Sequence, residues 1–266
     1  MSPIFFYLSF WFDFNRINVL VILGLFFAFV FYFINQAKKG KSLFVRRISG
    51  LDAIEEAVGR ATEMGKPILY ISGIEDMDNL QTVASMIILG NVTEMVARYD
   101  VPLLVPICRP FVVPVAEEAV KQGYIKAGKP DAYDKNNIRY ISDEQFAYTA
   151  GVNGIMLRER PAANLMFGSF FAESLIMAET GFSTGAIQVA GTANIHQLPF
   201  FVVACDYTII GEELFATSAY LSKEPKLLGS LKGSDLAKFL IIIILILGAL
   251  LETFGITEFS SWFFVR

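Results

Sequence analysis

Residues 51–71 read LDAIEEAVGRATEMGKPILYI. Apolar side chains recur at 51, 54, 57, 58, 61 and 64, the spacing of one helix face. Ser49 with Asp52 three residues later forms a capping arrangement, and Gly65 supplies the stop. Residues 67–71 (PILYI) are too few for a helix and apolar on both sides, as a strand covered on both faces requires. An amphipathic helix feeding a two-sided apolar strand is the repeating piece of a parallel α/β sheet.

The alternation continues outward. Helices are expected over 80–99 and 113–127, with strands over 101–107 (VPLLVPI) and 138–141. Ser142-Asp-Glu-Gln145 reads as a capping box opening a helix through Gly151 and beyond. Further on come a strand over 163–171, a helix over 174–180 closed by Gly181, and short apolar strands over 186–190 (AIQVA) and 199–205 (PFFVVAC). A helix over 212–221 precedes the most linker-like stretch, 223–235 (KEPKLLGSLKGSD). The expected fold class is α/β: a mostly parallel sheet flanked by helices (Rossmann-like), between two transmembrane helices.

Composition supports the membrane part. The chain has 266 residues, 54% of them hydrophobic and 18% charged, and a mean hydropathy of +0.50. That is too apolar for an ordinary soluble domain, and it excludes disorder. Residues 17–34 (INVLVILGLFFAFVFYFI) carry no charge, and residues 239–256 contain the run FLIIIILILGALL. Each has eighteen residues, about 27 Å of helix against a hydrocarbon core of roughly 30 Å. Lys38, Lys39, Lys41, Arg46 and Arg47 follow the first segment, and Lys223, Lys226, Lys232 and Lys238 precede or open the second. The outer flanks hold only Arg16 and Arg266. The positive-inside rule therefore places residues 41–235 in the cytoplasm and both termini outside a plasma membrane. No cleavable signal is expected, because no basic region precedes the first apolar run. The aromatic segment 1–16 and the tail 258–266, with Trp262, are expected at the outer interface.

Residues 41–235 hold 17 basic and 23 acidic side chains, a net −6, which excludes a nucleic-acid partner. Two cysteines and one histidine leave few soft metal ligands and no disulfide scaffold, so no metal and no cofactor is expected. Gly123-Tyr-Ile-Lys-Ala-Gly128-Lys129-Pro130 approaches a phosphate loop but has proline where the magnesium hydroxyl belongs and follows a helix, so Gly128 reads as a helix terminator.

Parallel sheets bind ligands beyond the carboxyl ends of their strands. That rule nominates Ser72, Gly73, Glu75 and Asp76, then Cys108 and Arg109, then Ser142 and Asp143, then Gly191 and Thr192, and finally Asp206 and Tyr207. The run from Asp206 to Glu212 and Glu213 is the most polar after a strongly apolar strand and is the first choice for a ligand or subunit contact. No catalytic residue is assigned. His196 would need Asp206 and a nucleophile beside it, and Cys108 and Cys205 read as small buried thiols. Glu252, thirteen residues into the second apolar run, reads as approaching the far interface, with a lumen or neighbouring subunit as the alternative.

LDAIEEAVGRATEMGKP (51–67), KPDAYDKNNIRYISDEQFAYTAGVNG (129–154), FAESLIMAETG (171–181) and QLPFFVVACDYTIIGEELFATSAYLS (197–222) carry a further signal. In these blocks the chain resembles an uncharacterised family of bacterial and archaeal membrane-anchored α/β domains. The resemblance implies a membrane–domain–membrane arrangement and no assigned reaction. The expected role is a self-associating scaffold or subunit of a membrane assembly, with the lipid bilayer, further copies and an unknown membrane protein as partners. A ligand-sensing or catalytic domain and a channel or transporter subunit are the alternatives. Small residues Gly24, Ala28, Gly248 and Ala249 are the candidate helix-packing positions.

Overall fold

A computed structural model describes residues 17–40 and 49–255. The expectations for 1–16 and 258–266, and the flanking charges Lys41, Arg46 and Arg47, lie outside the described residues. The chain forms two compact units, one of Met1–Val45 with Lys223–Arg266 and the other Arg46–Ser222.

The larger unit runs α2 (Ser49–Met64), β1 (Ile68–Gly73), α3 (Leu80–Arg98), β2 (Leu103–Ile107), α4 (Val112–Lys126), β3 (Ile138–Tyr140), α5 (Gln145–Glu159) and β4 (Ala163–Ser169). It continues with α6 (Glu173–Thr184), β5 (Ile187–Thr192), α7 (Leu198–Ala204), β6 (Tyr207–Ile210) and α8 (Glu213–Ser222). All strand pairs are parallel, in the order β3-β2-β1-β4-β5-β6. This is the doubly wound order of Rossmann folds, with its switch point between β1 and β4.

Two-sided burial follows from the alternation. Ile68 and Tyr70 face a core built from α2, α3, α4 and α8. Leu69 and Ile71 face a second core with α5, α6 and α7. Every residue of β1 and β4 is buried, which is why those strands read as continuous apolar runs. Tyr70 lies fully inside, and its hydroxyl donates to the Ser85 carbonyl at 2.7 Å.

Three local expectations are corrected, and a fourth stands. The stretch 199–205 falls in helix α7 (Leu198–Ala204) and its cap Cys205, not in a strand: Pro199 occupies a first-turn position, and seven apolar residues alone do not separate strand from helix. The sixth strand is the following Tyr207–Ile210. Gly181 does not close α6. It packs inside that helix, and Gly185, at φ +73°, ends it. The cap of α5 is Glu144, whose carboxylate accepts from the Phe146 and Ala147 amides, while Ser142 Oγ accepts from the Glu144 amide at 3.2 Å. The near phosphate loop is a helix end: Gly128 has φ +76°, and the Lys129 amide donates back to Tyr124.

The smaller unit holds α1 (Ile17–Lys38) and α9 (Pro225–Thr253). The linker-like stretch is therefore the start of a 29-residue helix, entered through Pro225. Gly229, Gly233 and Ala237, one per turn, are buried. A Cβ on Gly229 would lie 2.5 Å from Ile34 Cα, and one on Gly233 2.6 Å from Val30 Cα. These residues let the two backbones touch. Gly24, expected in that role, has nothing within 4 Å of a notional Cβ. Among the described residues three helices are long and apolar enough to cross a membrane: α1, α9 and α3. Over half of the apolar window of α3 is buried within the protein, as suits a core helix.

Candidate functional site

The switch point is built on two glycines. Gly73 ends β1 at φ +83°, and Gly168, one residue from the end of β4, has φ +142°. A Cβ on Gly73 would stand 2.4 Å from the Ser169 carbonyl oxygen, and one on Gly168 2.3 Å from that of Ser72. The strand register shifts between Ile71 and Gly73, and the Ile74 amide then donates to Ser169 O at 3.1 Å. Only glycine accepts both the conformation and the contact.

Around this pinch the structure gathers several nominated residues. Arg109, leaving β2, donates through Nε to the Ile74 carbonyl at 2.9 Å and through Nη1 to the Asp143 carbonyl at 3.4 Å. One guanidinium thus joins the exits of β1, β2 and β3. Asp76 accepts from the Met77 amide at 2.7 Å, and the Glu75 carbonyl accepts from Thr82. Thr192, at the end of β5, donates to Gln81 Oε1 at 3.1 Å and accepts from the Asn194 amide. Gln81 Oε1 also accepts from the Ala193 amide at 2.7 Å, so the start of α3 is tied to the loop after β5.

Glu173 was not singled out from the sequence. It opens α6 and is fully buried, with Oε1 accepting from the Phe171 amide at 2.8 Å and Oε2 from Gln145 Nε2 at 2.6 Å. A carboxylate at a helix start has an ordinary dipole explanation, which conceals its burial from a reader of the sequence. Cys108 lies 1% exposed in the same region. Burial pushes its thiol up to about 11, with Arg109 opposing and Glu173, Asp143 and Glu75 adding to the rise. Burial and the neighbouring Asp206 push Cys205 up to about 12. Both thiols stay protonated near neutrality and are poor nucleophiles.

The run from Asp206 to Glu213 does not form one site. Asp206 precedes β6 and lies at the amino edge of the sheet, where its Oδ2 accepts from the Gln188 amide at 2.8 Å. Glu212 and Glu213 follow β6 at the carboxyl edge. Tyr207, also at the amino edge, donates to Glu56 at 3.0 Å. His196 sits after β5, on the opposite edge from Asp206, so that pairing does not form. Glu252 lies exposed in the last turn of α9.

Strand order alone would suggest a dinucleotide. The residues do not fit one. The β1 exit carries Glu75, Asp76 and Asp78 where a pyrophosphate would need amides and little negative charge. The glycine at that exit packs against β4 instead of leaving room for a ligand. Among the described residues no group of three or more His, Cys, Asp or Glu could hold a metal ion. A cleft of about 210 Å³ lies elsewhere, between β2, β3 and the end of α5, and includes Arg139, Arg158 and Glu159.

The other notable surface covers α6 and α7. Leu175, Ile176 and Phe182 of α6 and Val202 and Val203 of α7 are exposed, Val203 at 87%. Ile195, in the loop before α7, is exposed as well. Residues 181–205 contain no Asp, Glu, Lys or Arg, and residues 161–222 contain no Lys or Arg at all. That gap in charge is visible in the sequence and is the signal that could have found this face.

A family model for a domain of unknown function, DUF6754, matches residues 8–263. The chain belongs to this family. The match runs through both compact units, so the apolar helices α1 and α9 and the α/β unit all fall within it. No curated protein and no solved structure matches the chain.

Proposed function

We propose that this family member is a subunit of a membrane assembly. In this reading α1 and α9 cross a plasma membrane, the α/β unit faces the cytoplasm, and both termini lie outside. Copies associate through the outer surfaces of α6 and α7. The observation that carries the reading is the exposed apolar layer of Leu175, Ile176, Phe182, Val202 and Val203. Exposed apolar side chains on neighbouring helices, interrupted on α6 by the exposed Glu179, favour association with another apolar surface. The absence of Lys and Arg from 161–222 favours a protein over an anionic lipid surface as the occupant, since no cation is there to meet headgroups. Anchoring on a surface raises the local concentration of copies and favours weak lateral contacts.

Light scattering on the detergent-solubilised chain tests this. More than one chain per micelle is expected for the wild type, falling to one for Val203→Lys or Phe182→Lys. A wild type with one chain per micelle overturns the proposal. The basic flanks of the two apolar helices support the orientation. Labelling of Lys121 from outside sealed cells would overturn it.

A second reading, ligand sensing at the switch point, is favoured by the buried Glu173 and by the Arg109 bridge between three strand exits. It makes Arg109→Ala alter the response of the chain to small anionic ligands in a thermal-shift screen, with assembly unchanged.

A further inference from the structure

A cleft opens where the edge of the sheet meets the last turn of α5. Ile138 of β3 packs into the first core, so alternation turns its neighbours Asn137 and Arg139 toward the α5 side. Leu104 and Ile155 give the cleft its apolar lining, and Arg158 and Glu159 reach it from α5. That helix carries the chain from the end of β3 back to the start of β4. Its last turn therefore lies toward the amino ends of the strands, away from the switch point. Arg160, left-handed at φ +46°, and Pro161 after it stop the helix and fix where Arg158 and Glu159 stand.

Two guanidiniums line this one cleft. Arg139 donates through Nε to the Asn136 carbonyl at 2.6 Å, which holds its fork and leaves both Nη groups without a partner among the described residues. Arg158 folds back over a glycine: its Nη1 lies 3.0 Å from where a Cβ on Gly154 would stand. Neither arginine forms an ion pair among the described residues, not even with Glu159, whereas Arg98, Lys129 and Lys135 each meet a carboxylate. A cation on an edge strand or in the last turn of a helix has an ordinary reason. Two of them lining a cleft of about 210 Å³ repel each other, and an anion between them removes the repulsion.

We propose that this cleft binds a small hydroxylated phosphate monoester, with its phosphate on Arg139 and Arg158. Geometry favours phosphate. A carboxylate offers two coplanar oxygens, which suit one guanidinium fork. A phosphate offers three oxygens that point apart, and so accepts from two guanidiniums arriving from a strand and from a helix. The volume limits the rest of the molecule, since drug-sized ligands need roughly 300–1,000 Å³. Glu159 favours the ester over bare phosphate: its carboxylate accepts from a hydroxyl and repels a second anion. The Asn137 side chain can donate or accept beside it. The inference rests neither on membrane assembly nor on ligand sensing at the switch point.

Calorimetric titration of the full chain in detergent, at constant ionic strength, tests it with glycerol 3-phosphate, inorganic phosphate and succinate. Saturable binding of glycerol 3-phosphate is expected, tighter than that of inorganic phosphate, with succinate weakest. Arg139→Gln and Arg158→Gln each weaken it about tenfold. Arg158→Lys keeps the charge but not the fork and does not restore full affinity. Both arginines are exposed, so the variants should keep the wild-type unfolding midpoint, which separates lost binding from lost fold. Glu159→Gln tightens inorganic phosphate and brings the two phosphates level. No binding by the wild type, or equal affinity in both glutamine variants, overturns the site. Succinate bound as tightly overturns the choice of phosphate, and equal wild-type affinity for the two phosphates overturns the ester. Binding lost in Arg109→Ala but kept in Arg139→Gln assigns the phosphate to the switch point instead.

Discussion

Asn164 of β4 and Gln188 of β5 are register partners, and Gly181 of α6 lies directly over the pair. A Cβ on Gly181 would stand 2.1 Å from Gln188 Oε1 and 2.6 Å from Asn164 Nδ2. Gln188 Nε2 donates to the carbonyls of Ala178 and Ala204, at 2.9 and 2.8 Å, and so ties α6 and α7 to the sheet. Neither amide atom of Asn164 has a hydrogen-bond partner among the described residues. Asn164→Leu, of similar shape, is expected to stabilise the chain by about 1–2 kcal/mol, since it removes an unmet polar burial cost. Gly181→Ala is expected to destabilise it by about 1–3 kcal/mol through overpacking. Opposite shifts of the urea midpoint check both, and a lower midpoint for Asn164→Leu would contradict the first.

Glu173 gives a sharper prediction. Both its oxygens accept hydrogen bonds inside the protein. Glu173→Gln keeps the volume but points an NH₂ at a donor, the Phe171 amide or the Gln145 side chain. A loss of about 1–3 kcal/mol is expected. The readout is again the unfolding midpoint. No loss would mean that the carboxylate is wetter than its burial indicates.

Alkaline pH should weaken the fold. Burial holds the Cys108 thiol at about 11 and the Cys205 thiol at about 12, above the ordinary value of 9.0. The unfolded chain therefore loses these protons first as pH rises. The stabilisation is complete below about pH 9 and falls as pH climbs toward 11 and 12. Unfolding free energy followed from pH 8 to 11 should decline, and Cys108→Ala should flatten part of that decline. An unchanged slope in the variant would show that other groups cause it.

The pairing of α1 with α9 separates two kinds of glycine. Gly233→Leu forces α1 and α9 apart, because a side chain there meets Val30 backbone. Gly24→Leu meets nothing and leaves the pair intact. Spin labels at Phe31 and Lys226 should move apart in the first variant and keep their wild-type separation in the second. Equal separations in both would contradict the packing.

Much of the α/β unit was legible because its helices are amphipathic and end at glycines, and because β1 and β2 are apolar on both sides. The order of the strands was not, since parallel pairing joins residues far apart in the chain. PFFVVAC misled because seven apolar residues suit either element, and that error also moved Asp206 to the wrong edge of the sheet. Arg109 and Asp143 were found by the rule that strand ends carry sites, whereas the bonds of one guanidinium to the Ile74 and Asp143 carbonyls needed coordinates. Gly229, Gly233 and Ala237 were readable at every fourth position but were masked by the polar company of Lys226, Lys232 and Asp235.

The pinch between Gly73 and Gly168 also has a mechanical meaning. Backbone pressed against backbone cannot spread, so the exits of β1 and β4 form a stiff floor shared by both halves of the sheet. A molecule pressing on that floor does not split it. The segments that leave that floor lead to α3 after β1 and to α6 after β4, one on each face of the sheet.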